Sequence, residues 1–119
     1  MKIKKVLKRI FRRESKKSFG STRNLKEINY EELHKLIKSH ANIKLVDVRS
    51  PQEFAENRIT SAINIPLYNI RRDAVRYLPN KNDTIILYCQ SGSRSKKGCA
   101  ILEELGYTDL YNLKGGMDV

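Results

Sequence analysis

Apolar residues from position 28 onward occur in two alternating patterns, short runs and helical repeats. The short runs at residues 44–48, 62–65, 84–88 and 109–113 are too brief for helices and predict strands. Between them, apolar residues recur every three or four positions, which predicts helices. Strands that alternate with helices indicate an α/β domain with a mostly parallel sheet covered on both faces. The three helical repeats are Tyr30, Leu33 and Ile37 on one face, flanked by Leu36; Leu67, Ile70, Ala74 and Leu78; and Gly98, Ile101, Leu102 and Leu105, which form the predicted buried face of the last helix.

Polar residues at the helix boundaries support these assignments. Asn29 can cap the first helix, because its side-chain oxygen can accept from a free N–H group of the first turn. Ser50 and Glu53 have the spacing of a capping box, with Pro51 at the first helical position. A short helix is therefore predicted through Asn57.

The stretch from Ile85 to Gly106 combines a strand, a tight loop and a helix around a cysteine. The apolar run ends at Cys89, and Ser95 opens the helical repeat that Gly106 ends. Such a loop turns backbone N–H groups inward, and the next helix adds the positive end of its dipole, so Cys89 should ionise more easily than a free thiol. We predict Cys89 as the nucleophile and the residues after it as the binding site: Gln90, Ser91, Gly92, Ser93, Arg94 and Ser95.

The loop residues have separate predicted tasks. Gly92 is expected to permit a backbone angle or a close approach that a side chain would forbid. Arg94 is expected to hold the loop in shape or to neutralise an anionic substrate. The other residues are expected to supply N–H groups and hydroxyl donors. The competing interpretation is a buried, inert thiol at a strand end, which leaves Gly92 and Arg94 without a function.

Two charged residues at the end of the first long strand are assigned supporting roles. Asp47 can accept a hydrogen bond from the backbone or from a nearby cation. Arg49 is placed to pair with Glu53 in the first turn of the next helix. A structural role is favoured over a catalytic one for both residues.

The length of 119 residues fits one domain, and the cysteines favour a reducing cytoplasm. Cys89 and Cys99 have no disulfide pattern, and the sequence shows neither a secretory signal nor a membrane-spanning run. Cys99 is interpreted as a small core residue, with a thiol that could pair with Cys89 as the alternative. His34 and His40 are isolated, so we predict no metal and no cofactor.

The formal net charge of +11 is concentrated at the start of the chain. Residues 1–26 hold eleven of the 24 Lys and Arg residues and one of the 13 acidic residues, so residues 27–119 are nearly neutral. Residues 1–13 have the pattern of a basic amphipathic helix, residues 14–26 that of a linker, and a domain is predicted over residues 27–119. The helix could bind the anionic inner face of a membrane, remain a tail without a defined partner, cap a groove on the domain, or bind nucleic acid, the least favoured of the four.

The order and spacing of four groups of residues indicate a family. They are Leu45 to Arg49 followed by Glu53-Phe54; Ile59 and Ala62 leading to Asn64-Ile65-Pro66; Cys89 through Ser95; and Gly106-Tyr107 with Leu113 to Gly116. Together they resemble the single-domain rhodanese family of sulfurtransferases. The resemblance implies a three-layer α/β/α fold with a mostly parallel, about five-stranded sheet. It also implies an active-site cysteine that carries sulfane sulfur as a persulfide, here Cys89, cradled by residues 89–94.

The resemblance also implies partners. Cys89 would take sulfur from a small donor anion such as thiosulfate, or from a persulfide, and pass it to a thiol or protein acceptor. Related phosphatases place five residues between cysteine and arginine, whereas Cys89 and Arg94 are separated by four, a tighter ring that suits sulfur and crowds a phosphate ester. The alternative from another class is a membrane-tethered or partner-binding module of the same fold that acts as a non-catalytic adaptor.

Two departures from the family pattern qualify the resemblance. Arg58 stands near a position where many relatives have a histidine, so no role is carried over to it. The family usually continues beyond the Gly-Gly turn, whereas this sequence stops at Val119, so either a closing segment is absent or the given sequence is trimmed. Some loss of cover over the site, and of stability, is expected.

Overall fold

The computed structural model describes residues 25–39 and 42–118, so the helix predicted at residues 1–13 lies outside the described residues. Strands and helices alternate along the described chain. The strands are β1 Glu27–Ile28, β2 Ile43–Asp47, β3 Ile63–Asn64, β4 Thr84–Tyr88 and β5 Leu110–Leu113. The α-helices are α1 Tyr30–Ser39, α2 Pro51–Glu56, α3 Ile70–Tyr77 and α4 Ser93–Glu104, and short 3-10 helices span Leu67–Asn69 and Gly116–Asp118.

The five strands form one parallel sheet in the order β1-β5-β4-β2-β3. The central strand β4 shows how the two faces are covered, because its side chains alternate between two core clusters. Ile85 and Leu87 pack with residues of α3 and α4, whereas Ile86 and Tyr88 pack with residues of α1. The predicted three-layer α/β/α fold with a five-stranded sheet is confirmed.

Local capping signals fix two of the helix starts. The side chain of Asn29 accepts from the backbone N–H of Glu32 at 2.8 Å, and the Glu32 carboxylate accepts from Asn29 N–H at 2.9 Å. Ser50 and Glu53 exchange the same pair of bonds at 3.2 and 3.0 Å, with Pro51 as the first residue of α2. The predicted capping box is therefore present.

The structure also differs from the sequence prediction in three elements. β1 was not predicted, because a two-residue strand has no measurable periodicity. The strand predicted at residues 62–65 contains only Ile63 and Asn64. The apolar face of α1 predicted from Tyr30, Leu33 and Ile37 is only partly in the core, since Leu33 and the flanking Leu36 are buried and Ile37 is 45% exposed.

Candidate active site

Cys89 is the first residue after β4, at the carboxyl edge of the sheet, and it is completely buried. Its Sγ accepts hydrogen bonds from the backbone N–H groups of Gly92, at 3.0 Å, and Ser95, at 3.4 Å. The hydroxyl oxygen of Ser95 lies 3.4 Å from the same sulfur. Three polar groups therefore contact the sulfur of a buried cysteine.

These contacts lower the pKa of the Cys89 thiol below its ordinary value. Burial by itself raises that pKa, because a charged sulfur is poorly solvated in the protein interior. Hydrogen bonds from the Ser95 hydroxyl and from the N–H groups of Ser95, Gly92 and Ser91 outweigh burial. The site therefore favours the thiolate, which is the nucleophilic form of cysteine.

The backbone of the loop depends on Gly92, which precedes the first residue of α4. Its φ is +107°, in the region that favours glycine, so Gly92 has the backbone freedom expected of it. In this turn the Gly92 and Ser95 N–H groups point at the sulfur of Cys89. The sulfur accepts their hydrogen bonds, as a capping side chain would at the start of a helix, and α4 has no other side-chain cap. The helix begins at Ser93, two residues earlier than the sequence predicted.

The side chain of Arg94 binds a residue of α2. Its guanidinium donates two hydrogen bonds to the Glu53 carboxylate, at 2.8 and 3.0 Å. The hydrogen bond from Arg94 and the N–H of Ser50 lower the pKa of Glu53 to about 2. This two-bond contact ties the loop to the neighbouring helix, as one of the two roles expected for Arg94 requires.

Asp47 and Arg49 form a buried ion pair next to the loop. Arg49 Nη2 lies 2.8 Å from Asp47 Oδ2, and the Asp47 carboxylate also accepts from Arg49 N–H at 2.9 Å. Arg49 further donates to the carbonyl of Asn57 at 2.6 Å and to the side chain of Gln90 at 3.4 Å. The predicted Arg49–Glu53 pair was wrong, because Asp47 is nearer in the fold and Glu53 binds Arg94.

The end of the described chain covers the loop, in a contact that was not predicted from the sequence. Met117 N–H donates to the Cys89 carbonyl at 2.9 Å, and Asp118 N–H donates to the Gln90 carbonyl at 2.8 Å. The Gln90 side chain donates to Asp118 at 2.8 Å. A β-carbon on Gly116 would lie 2.1 Å from the Cys89 carbonyl oxygen, so this approach requires glycine. The Gly-Gly pair was the sequence signal for such a close contact.

The side chains of the remaining candidate residues differ in their burial. The side chains of Ser91 and Ser93 are exposed. Cys99 is a buried free thiol on α4 that lies 3.7 Å from the Tyr111 carbonyl, and burial raises its pKa. The side chain of Arg58 is exposed and lies over the Phe54 ring. Among residues 25–39 and 42–118, no group of three or more His, Cys, Asp and Glu side chains is arranged to hold a metal ion.

Comparison with known proteins identifies the family. The model of the rhodanese-like domain matches residues 29–119. A sulfurtransferase of Allochromatium vinosum is 35% identical over 91 residues, which cover 76% of this chain and 83% of the relative. The thiosulfate sulfurtransferase PspE of Escherichia coli is 38% identical over 74 residues, covering 62% and 71%. The solved structure of the human single-domain sulfurtransferase TSTD1 aligns with a TM-score of 0.67 at 28% identity, covering 76% and 89%.

The parallel sheet, the cysteine at the end of its central strand and these similarities agree. The chain belongs to the rhodanese-like domain family, and its class is that of the rhodanese-type sulfurtransferases.

Proposed function

We propose that Cys89 carries sulfane sulfur between a donor and a thiophilic acceptor. The observation that carries this proposal is the ring around Sγ, in which two backbone N–H groups and one hydroxyl surround a buried sulfur whose pKa is lowered. A thiolate of this kind is a nucleophile, and the same donors can stabilise the charge of a persulfide.

The reaction proceeds in two exchanges. In the first, the Cys89 thiolate attacks the terminal sulfur of thiosulfate, a new S–S bond forms, and sulfite leaves with the electron pair of the broken bond. In the second, an acceptor thiolate attacks the outer sulfur of the Cys89 persulfide, and the Cys89 thiolate leaves. A persulfide donor follows the same steps, with a thiolate in place of sulfite as the leaving group. No net oxidation is required.

The size of the loop supports a sulfur donor over a phosphate ester. Cys89 and Arg94 are separated by four residues, and a ring of N–H groups this small suits a sulfur atom and crowds a tetrahedral phosphate. The N–H groups of the short loop converge on the sulfur of Cys89 itself. Hydrolysis of an aryl phosphate by the wild type, abolished by Cys89→Ser, would contradict this preference.

Intact-protein mass spectrometry after incubation with thiosulfate, and separately with a persulfide donor, tests the proposal. The reduced wild type and Cys99→Ala should each gain one sulfur atom that dithiothreitol removes, whereas Cys89→Ser should gain none. Absence of added sulfur on the wild type with both donors would contradict sulfur carriage and favour the adaptor function.

We also infer that the protein acts in the cytoplasm, at the inner face of the membrane. Both cysteines are free thiols, which supports a reducing compartment. The membrane part of this inference rests on the sequence of residues 1–13, which combines seven basic residues with an apolar stripe. None of the described helices is both long and apolar enough to cross a membrane.

A further inference from the structure

A series of polar side chains leads from Cys89 to the edge of the sheet. Besides its 3.4 Å contact with Cys89 Sγ, Ser95 Oγ lies 3.1 Å from the Gly92 carbonyl oxygen and within hydrogen-bond contact of Asn112 Oδ1. Asn112 Nδ2 donates to Glu27 Oε2 at 3.0 Å. Ser95 and Asn112 are completely buried, whereas one third of the Glu27 side chain is exposed.

The parallel pairing of β1 and β5 brings together the last two residues of this series, Asn112 and Glu27. Glu27 and Asn112 are register partners across the two strands, so their side chains emerge side by side. The backbone N–H of Asn112 also donates to the Lys26 carbonyl at 2.8 Å, which fixes the spacing of the two strands at this position. The contact between Asn112 and Glu27 is therefore built into the sheet.

Glu27 determines which end of the Asn112 amide faces the active site. An ionised carboxylate only accepts hydrogen bonds, so it must meet the amide nitrogen of Asn112. The amide oxygen then necessarily faces Ser95. If the amide were reversed, two acceptor oxygens would lie against each other in a partly buried contact, and the Asn112 oxygen would have no donor there, which is costly.

The Ser95 hydroxyl has one proton and three neighbouring acceptors: the Gly92 carbonyl, Asn112 Oδ1 and Cys89 Sγ. We propose that Asn112, oriented by Glu27, competes with the sulfur of Cys89 for the Ser95 hydroxyl proton. Asn112 and Glu27 are thus positioning residues for the reacting thiol. This inference rests on the proposed function only in taking Cys89 as the reacting group.

In this competition the Ser95 hydroxyl group has two orientations. While Cys89 is a neutral thiol, the Ser95 proton points to Asn112, and the Ser95 oxygen can accept from the S–H group. When Cys89 is a thiolate, the hydroxyl rotates to donate to Sγ, and Asn112 Oδ1 loses that donor. Ser95 therefore favours ionisation of the thiol, and Asn112 opposes it. The same rotation would accompany loss and recovery of the thiolate in each sulfur exchange.

Other charged groups around the site are held in pairs on several elements. Arg94 on α4 pairs with Glu53 on α2, Arg49 pairs with Asp47 at the end of β2, and Glu27 lies 3.8 Å from Lys96 Nζ on α4. None of these pairs contains Ser95 or Asn112. Variants at positions 95 and 112 therefore change hydrogen bonding without removing a charge.

The pH dependence of Cys89 alkylation by iodoacetamide tests the competition. The experiment uses the full chain, with Cys89→Ser as the blank for Cys99. Ser95→Ala should move the profile to higher pH and slow alkylation at neutral pH about tenfold, the factor expected for one lost hydrogen bond to a charged atom. Leucine has a shape similar to that of asparagine but no hydrogen-bond acceptor. Asn112→Leu should therefore move the pH profile of alkylation to lower pH and speed alkylation at neutral pH several-fold.

The opposite signs separate competition from a merely structural role. Shifts of both profiles in the same direction, or an unchanged profile in Asn112→Leu, would overturn the proposal. Asn112→Ala removes the same acceptor without adding volume and carries the same prediction if Asn112→Leu does not fold. The midpoint of the pH profile reports ionisation whether or not Cys89 accepts sulfur, because access of the reagent to the buried sulfur scales the rate at every pH. The proposal can therefore fail independently of the proposed function.

The part assigned to Glu27 requires a double-mutant cycle. Gln at position 27 can donate or accept, so it no longer fixes the Asn112 amide. Glu27→Gln should speed alkylation in the wild-type background and have a much smaller effect when combined with Asn112→Leu. Equal effects in both backgrounds would show that Glu27 acts through its charge alone, and would remove it from the proposal.

Discussion

Gly116 lies against the loop that carries Cys89, and its environment leaves no space for a side chain. A β-carbon there would lie 2.1 Å from the Cys89 carbonyl oxygen and 2.8 Å from the Gln90 carbonyl oxygen, and its φ is +54°. Gly116→Ala should push the closing turn off the loop and break the bond from Met117 N–H to the Cys89 carbonyl. We expect sulfur loading of Cys89, followed by mass spectrometry, to fall at least tenfold.

Gly106→Ala is the matched control for this substitution. Gly106 also has a positive φ, of +98°, but the nearest atoms to its β-carbon would be in the Lys81 side chain, at 3.5 Å or more. Gly106→Ala should cost only the free energy of a residue with a side chain at positive φ, about 1 kcal/mol of stability, and leave sulfur loading of Cys89 intact. Equal losses in the two variants would mean that Gly116 is required for its backbone angle and not for contact with the loop.

The ion pair of Asp47 and Arg49 permits a prediction about stability. The exposed fractions of the two side chains are 0% and 2%, so Asp47→Asn would leave a buried guanidinium without its counter-charge. Loss of one partner of a buried pair typically costs about 3–5 kcal/mol, and we expect a loss of this order in the free energy of unfolding by urea.

An exposed pair of the same length provides the comparison. Arg71 and Glu104 are also 2.8 Å apart, but both side chains are more than half exposed. Glu104→Gln should change the unfolding free energy very little, because solvent already screens this pair. A small effect of Asp47→Asn, similar to that of Glu104→Gln, would mean that Arg49 finds other partners when the carboxylate is neutralised.

At the scale of elements, the contact between α2 and the active-site loop should depend on pH. The pKa of Glu53 falls from 4.5 to about 2 in the folded protein, because its carboxylate binds Arg94 and the Ser50 N–H. A lowered folded pKa means that the contribution to stability is complete above the unfolded pKa and is lost as the pH falls through the folded pKa. Glu53 should therefore stabilise the domain fully above about pH 5 and progressively less toward pH 2.

Glu53→Gln isolates this charge, since glutamine can still accept from the Ser50 N–H in the capping box. The wild type should exceed the variant in stability by about 1 kcal/mol at neutral pH, with the difference vanishing at acid pH. Urea titrations at several pH values measure it, and Glu56→Gln at the exposed end of the same helix is the control. A difference independent of pH would contradict an ionic contact with Arg94.

Elements with strong local signals were predictable from the sequence. β4 is a continuous apolar run buried on both faces, and α2 carries its own capping box, so neither depends on distant residues to be recognised. β1 could not be predicted, because two residues become a strand only through pairing with β5, more than eighty positions away. The exposure of Ile37 likewise depends on which surface packs against α1.

The residues of the candidate site also divide into those with a local sequence signal and those whose contacts depend on distant parts of the chain. Cys89 and the turn at Gly92 lie in one continuous loop, so spacing alone indicated a sulfur facing backbone N–H groups. The partner of Arg49 was mistaken, because sequence spacing suggested Glu53 while the fold brings Asp47 nearer. The contacts of Gly116 and Asn112 were not predicted, since β5 and the closing turn meet the loop only after the sheet has formed.

At the scale of the whole molecule, most of the net charge lies in a different part of the sequence from the reacting cysteine. The domain predicted over residues 27–119 is nearly neutral, and residues 1–26 supply most of the net charge of +11. Leu25 packs against the core and Lys26 pairs with Asp109 at 2.9 Å, so the chain entering β1 is anchored. The boundary at residue 26 and the separate role of the basic segment stay predictions. Sulfur transfer at Cys89 does not require that segment in the mechanism proposed above.

If residues 1–13 bind an anionic membrane, both their charge and their apolar stripe must contribute. The full-length wild type should sediment with vesicles that contain anionic lipid at low salt, and much less at high salt or with neutral vesicles. Replacing Leu7 and Phe11 with Asn, with all basic residues left in place, should weaken sedimentation strongly, because the variant retains the headgroup attraction but can no longer bury an apolar face. Nucleic-acid binding through phosphates would instead survive that change and respond only to salt. Failure of the wild type to sediment at low salt would rule out membrane binding by residues 1–13. Intact sulfur loading in the variant with Leu7 and Phe11 replaced would show that the segment determines location and takes no part in the sulfur chemistry.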